Sequence, residues 1–209
     1  MKDTIQKELA QIEQTQNVQI LLAVESGSRA WGFASPDSDY DVRFIYVRPK
    51  DAYLRLQKHR DVIELPINDA LDINGWDLTK TLRLLHKSNP TLFEWGASPI
   101  VYLETDFAAR FKSVMGRYFS SKRGLYHYIH MAAGNYREYI KGDMIKAKKY
   151  FYVLRPVLAC RWILDKGSPP PMLFSELMES GLAPELKPEV ERLLELKVNS
   201  PEIRMIPQI

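Results

Sequence analysis

The sequence predicts an α+β fold, in which a small mixed β-sheet core with flanking helices is followed by a helical bundle. Three observations predict it. Runs of strand length, rich in β-branched and aromatic residues, fall in the first half: VQILLAV at 18–24 and YDVRFIYV at 40–47. After Pro99 this pattern gives way to long helical periodicity over 106–122, 123–141 and 143–165. The chain has 209 residues, 45% of them hydrophobic and 26% charged, enough to bury a substantial core in one large domain or two small ones. The expected boundary lies near residue 100, giving domains 1–100 and 101–209.

Each element has a local reason. Residues 3–15 form a Gln-rich helical pattern with Ile5, Leu9 and Ile12 as its apolar positions. The strand at 18–24 ends in the turn-prone cluster Glu25-Ser26-Gly27-Ser28. A loop containing Gly32, Ser35, Pro36 and Asp37 leads to the strand at 40–47, which Pro49 closes. Residues 51–58 read as a short helix or a loop. Two short strands, 61–65 and 70–73, flank the turn signal Pro66-Ile67-Asn68-Asp69. Asp77 offers an N-cap to a helix reaching about Lys87, with Leu78, Leu82 and Leu85 on one face. Asn89-Pro90 ends it, and a short helix follows at 91–95. After the long helices, Gly167-Ser168-Pro169-Pro170-Pro171 makes a stiff break. Helices at 174–179 and 188–197 complete the pattern.

Composition bounds the function. The net charge of +3 permits a phosphate-rich partner without demanding one. No apolar run approaches the ~20 residues that a membrane-spanning helix needs. Met1-Lys2-Asp3-Thr4 opens a polar stretch unlike a signal peptide, so a cytoplasmic protein is expected. Cys160, the single cysteine, follows Val157-Leu158-Ala159 and reads as a core residue.

The stretch from Glu25 to Asp41 carries the chemistry. Gly27-Ser28 directly follows a strand. Gly27 lets the backbone turn sharply and approach a ligand, where exposed N–H groups and the Ser28 hydroxyl can hold phosphate oxygens. Asp39-Tyr40-Asp41 opens the next strand, and residues two apart on a strand share a face. Paired carboxylates repel one another unless a cation lies between them. Magnesium is commonly bound by one or two carboxylates together with phosphates and water. The pairing therefore suits a Mg2+–NTP site, with Mn2+ as an alternative ion. Alone, each device is common in polar turns; their order and spacing are more specific.

That order resembles the fingerprint of the DNA polymerase beta-like nucleotidyltransferase superfamily, in its minimal nucleotidyltransferase branch. Gly75-Trp76-Asp77-Leu78 with Lys80, Lys87-Ser88-Asn89-Pro90, Glu94-Trp95 and Ser98-Pro99-Ile100-Val101-Tyr102 are similar to the RNA-repair-pathway nucleotidyltransferases. So are Lys148-Lys149-Tyr150-Phe151 and the run from Arg155 to Trp162, and the resemblance covers nearly the whole chain. It implies a metal-dependent transfer of a nucleoside monophosphate from an NTP to a hydroxyl, an RNA end in RNA repair, with Asp39 and Asp41 as metal ligands. Relatives of the minimal branch that transfer AMP to a protein side chain, as antitoxins, imply an alternative acceptor. A non-catalytic nucleotide- or RNA-binding module is the third reading, and the intact Asp pair speaks against it. Similar family members run longer, so a further C-terminal piece beyond Ile209 is expected.

The resemblance also implies a third acid on a neighbouring strand, as metal ligand and general base. Asp72, between Leu71 and Ile73, is favoured over Asp77, which also suits an N-cap, and over Glu64, which also suits a solvated surface. Arg29 could pair with a triphosphate oxygen or with Glu25 or Asp41. Lys80 could face the site or solvent. Lys148, Tyr152 and Arg155 fall at i, i+4 and i+7, one helix face suited to triphosphate and base or to a surface stripe. His127 and His130, three apart, read as ordinary partly buried histidines. Tyr126, Tyr128, Tyr136 and Tyr139 read as core, and Lys146, Lys148 and Lys149 as a solvated charge run.

Overall fold

The computed structural model describes residues 1–57, 59–66 and 70–208. Its elements are α1 (Lys2–Gln16), β1 (Gln19–Glu25), α2 (Gly27–Ala30), β2 (Tyr40–Val47), α3 (Lys50–Tyr53), β3 (Val62–Glu64), β4 (Leu71–Asp77), α4 (Leu78–His86), α5 (Pro90–Gly96) and β5 (Val101–Glu104). They continue with α6 (Asp106–Tyr118), α7 (Ser121–Tyr139), β6 (Met144–Lys146), α8 (Ala147–Lys166), α9 (Phe174–Gly181), a 3-10 turn (Pro184–Leu186), α10 (Lys187–Val198) and β7 (Met205–Pro207). The class is α+β, as the sequence predicts. Residues 67–69 of the expected turn, and residue 58 of the expected helix or loop, lie outside the described residues.

The chain forms two compact units: 1–27 with 39–118, and 28–38 with 119–209. This division departs from the expected boundary near residue 100. Helix α6 stays with the sheet because Ala108, Phe111 and Met115 are buried, and the Met115 thioether packs so close to Gly96 that a methyl there would meet it at 2.5 Å. Segment 28–38 belongs to the second unit because Phe33 is buried against Phe151 and Phe174, with ring centroids 4.9 and 5.4 Å away.

The first unit is built on a mixed sheet of order β3-β4-β2-β1-β5. β2 and β4 are parallel, and the other pairs are antiparallel. One face is closed by α1, whose Ile5, Leu9 and Ile12 pack with Ile20, Val42, Phe44, Tyr46 and Ile73. β4 alternates: Leu71, Ile73, Gly75 and Asp77 are buried, whereas Asp72, Asn74 and Trp76 are half-buried. It continues past the expected end at residue 73 because residues 74–77 stay paired with residues 43–46 of β2, and glycine at 75 leaves room for the Phe44 ring, only 2.2 Å from where a Cβ would sit. β5 also departs from expectation, since this short segment pairs with β1 as an edge strand.

The second unit packs α7 on α8 around Tyr128, Ala159 and Ile163. Ser120 caps α7, and Gly167, with φ of 64°, ends α8. The expected helix at 143–165 starts later because Met144–Lys146 pairs with Met205–Pro207. Tyr128 is buried as expected, but Tyr126 and Tyr136 are exposed, and so is His130. Their helix presents only one stripe, through Gly124, Tyr128 and Ala132, to the core. Cys160 is half-buried beside that core, and burial pushes its thiol pKa up, which keeps it protonated. Among the described residues no helix is long and apolar enough to cross a membrane.

Candidate active site

Glu25, at the end of β1, is fully buried and organises the turn. Its Oε1 accepts from the Asp41 N–H at 2.6 Å, and its Oε2 accepts from the Tyr102 hydroxyl. Its carbonyl accepts from Ser98 Oγ at 2.6 Å, and its N–H donates to the Ile100 carbonyl at 2.9 Å. The Ser26 N–H donates to the Asp41 carbonyl at 2.8 Å. The backbone of Asp41 is thus held on both sides. Gly27 follows with φ of 59°, and a Cβ there would lie 2.0 Å from Asp41 Oδ2. Both facts require glycine.

Parallel pairing places Asp41 beside Asp72. Arg43 lies two residues along β2, on the same face as Asp41. Its Nη2 donates to Asp41 Oδ1 at 2.9 Å and to Asp72 Oδ2 at 2.7 Å, and its Nη1 donates to the Asp72 carbonyl at 2.9 Å. Both carboxylates remain 29% exposed, so they are open to a ligand. Asp39 is exposed and lies one residue before β2. The ladder therefore brings Asp41 and Asp72 together but does not include Asp39.

Of the other acids, Asp77 is buried and caps α4, accepting from Thr79 N at 2.7 Å, Thr79 Oγ1 at 2.6 Å and the Tyr53 hydroxyl at 2.9 Å. Glu64 pairs with Arg60 and accepts from Asn74 at 3.1 Å. Lys80 pairs with Asp61 at 3.4 Å.

Among the described residues no three His, Cys, Asp or Glu side chains form a group able to hold a metal. Two carboxylates nevertheless converge on one cationic nitrogen. A point within 2.9 Å of both marks where a positive charge is stabilised. Magnesium commonly takes only one or two carboxylates and fills its shell with phosphates and water, so this donor pair fits it.

In the second unit, segment 28–38 is tied down by its own polar groups. Ser28 Oγ donates to Ser38 Oγ at 3.1 Å, and Arg29 Nη2 donates to the Ser38 carbonyl at 2.6 Å. Ser38 Oγ donates to Glu202 at 2.8 Å, and Asp37 accepts from the Glu202 N–H at 3.0 Å. Lys148 pairs with the same Glu202. Lys197, buried, donates to Ser35 Oγ at 2.7 Å and lies 3.5 Å from Glu202. Tyr152 meets Trp31 edge-on with centroids 6.2 Å apart. Arg155 is buried with its guanidinium 4.7 Å from the Trp31 ring centre. Lys148, Tyr152 and Arg155 therefore all engage partners inside this unit.

Burial would raise the Glu202 carboxyl, but hydrogen bonds from Lys148 and Ser38, with the lysine charges, outweigh it and hold its pKa below the ordinary 4.5. Burial pushes the Lys197 ammonium pKa down, against the opposing pull of Glu202. A carboxylate with a depressed folded pKa contributes stability that is complete above its unfolded value and is lost as pH falls through the folded one. Glu202→Gln is therefore expected to cost about 1.5–3 kcal/mol at neutral pH, as hydrogen bonds to a charged group do. The gap from the native protein should narrow below the ordinary 4.5. Urea melts across that range test this, and a gap constant with pH would refute it.

Sequence reasoning does not single out Glu25 as an organiser, nor Arg43, Tyr102, Ser38, Lys197 and Glu202. An acid closing an apolar strand, and a cation two residues after Asp41, were visible signals for the first two. Nothing local links Ser38 with Glu202, which are 164 residues apart.

A model of the RNA repair pathway DNA polymerase beta family matches residues 1–209. The protein YcgL of Bacillus subtilis strain 168 is 54% identical over 205 residues, covering 97% of this chain and 79% of that one. A crystal structure of a nucleotidyltransferase-like protein from Exiguobacterium sibiricum 255-15 is similar at 14% identity with a TM-score of 0.39. That match covers 94% of this chain and 66% of the solved one, so this chain spans just under two thirds of its length.

Proposed function

Because the chain belongs to the RNA repair pathway DNA polymerase beta family, a nucleotidyltransferase family, we propose that it transfers a nucleoside monophosphate from an NTP to a hydroxyl on an RNA end, with pyrophosphate as the leaving group. The observation that carries this reading is the convergence of Asp41 and Asp72 beside the Gly27 turn. Asp41 and Asp72 would hold Mg2+, or Mn2+, with Asp39, one residue before β2, as the further ligand that the family implies. The ion, when bound, supplies charge stabilisation for the phosphates and acidifies the acceptor hydroxyl.

The protein's own groups do the rest. Gly27 brings the backbone close to the phosphates, and Ser28 and Arg29, next in the chain, donate to their oxygens. Asp72 accepts the proton of the attacking hydroxyl. Lys148, Tyr152 and Arg155 hold the second unit together, the first through Glu202 and the other two through Trp31. Such catalysis rests on positioning and on charge stabilisation.

The test is incubation with each α-labelled NTP, magnesium and a mixed RNA pool, followed by gel separation. Label on RNA that is lost in Asp39→Ala supports the proposal. Label on protein transfers the reading to AMP-transfer of antitoxin type. Magnesium-dependent NTP binding without label points to another acceptor, and absence of NTP binding to a non-catalytic module. Asp72→Asn is expected to slow turnover by about a hundredfold or more, the scale of general-base catalysis, with little change in NTP affinity. A full rate in that variant moves the role to Asp77 or Glu64.

A further inference from the structure

We propose that the first unit carries a second anion site, a pocket for a phosphate group at the opposite end of the sheet from Asp41 and Asp72. Parallel β2 and β4 pair Asp41 with Asp72 at one end and Tyr46 with Asp77 at the other. Five residue steps lie between these pairs, about 17 Å at ~3.3 Å per residue. Beside the far end is a cavity of about 360 Å³ lined by Arg55, Gln57, His59 and Arg83, with Thr79 and Asp61. Its volume lies in the range of small-ligand sites, roughly 300–1,000 Å³, although such sites are mostly apolar. Here the walls offer two guanidinium groups, an amide and an imidazole, which suit an acceptor-rich anion.

The two acids nearby are already engaged. Asp61 faces Lys80 at 3.4 Å and Arg83 at 4.0 Å. Asp77 is buried and holds the wall together, accepting from Tyr53 and Thr79 and lying 3.4 Å from His59 Nε2. The flanking sequence adds to the field. Residues 48–60, RPKDAYLRLQKHR, contain five of the 29 Lys and Arg but only one of the 26 acids. That local excess is larger than the net +3 of the whole chain. Alternate positions 55, 57 and 59 line the cavity. A phosphate group satisfies this lining whether it is a free ion or part of a polynucleotide backbone.

This inference does not depend on the proposed reaction, since the pocket can bind phosphate in a chain that transfers nothing. The test uses the full chain with EDTA, titrated by calorimetry with inorganic phosphate and, separately, with a short single-stranded RNA lacking terminal phosphates. At least one probe is expected to bind saturably. Arg55→Ala with Arg83→Ala is expected to weaken that binding about tenfold or more, as loss of charge-assisted hydrogen bonds does. Arg55→Glu alone should do the same, while Asp41→Ala should retain it. RNA binding that phosphate displaces identifies the backbone as the source, and phosphate binding without RNA binding identifies the free ion. Failure of both probes to saturate overturns the proposal. So does native-like affinity in the Arg55 and Arg83 variants, or a loss that follows Asp41→Ala instead.

Discussion

Asp41→Ala is expected to lower nucleotidyl transfer by about a thousandfold or more, the scale seen when a group stabilising transition-state charge is removed. The fold should survive. The backbone of Asp41 is held by Glu25 and Ser26, and neither contact uses its carboxylate. The carboxylate itself is 29% exposed, and its pairing with Arg43 is worth about 1 kcal/mol or less in such surroundings. Arg43 keeps Asp72 as a partner. Stability and activity should therefore separate: a cooperative melt close to that of the native chain, with transfer lost. Single-turnover assays with α-labelled NTP measure the second quantity. A rate within tenfold of native would remove Asp41 from the site.

Glu25→Ala is expected to do the opposite first, destabilising the chain by about 2–5 kcal/mol. It strands the Asp41 N–H and the Tyr102 hydroxyl in a site where Glu25 is fully buried, and each unsatisfied buried group costs about 1–3 kcal/mol. It also opens a cavity under the Gly27 turn. Tyr102→Phe, which leaves one carboxylate oxygen short of one donor, should cost about 1 kcal/mol. Urea unfolding of the two variants measures the ratio. Equal melting of Glu25→Ala and the native chain would show that the turn is held by the Ser98 and Ser26 backbone contacts alone. At temperatures where Glu25→Ala remains folded, its transfer should still be impaired, because the start of β2 is no longer fixed.

These two residues illustrate what could be read in advance. Asp41 stands out in sequence because its chemistry is expressed locally, as an acid beside an acid at the mouth of an apolar strand. Asp72 stands out by its apolar flanks, and pairing of β2 with β4 puts it next to Asp41. Glu25 is equally local, yet its task is set by Tyr102 and Ser98, more than 70 residues away. Arg43 appears as one more strand residue until the parallel register brings Asp72 within reach.

Consecutive residues suffice to specify the α+β class, the strands β1 and β2, the helical second half and the Gly27-to-Asp41 segment. Hydrophobic period and turn chemistry are short-range properties, and they are written in consecutive residues. Long-range packing sets the rest: α6 belongs with the sheet, β5, β6 and β7 are strands, and segment 28–38 is anchored by Phe33, Ser35 and Ser38 in the second unit. Short strands have too few residues to show a period, and their backbone groups are satisfied only by a distant partner. The affiliation of a loop depends on which core accepts its one large aromatic side chain.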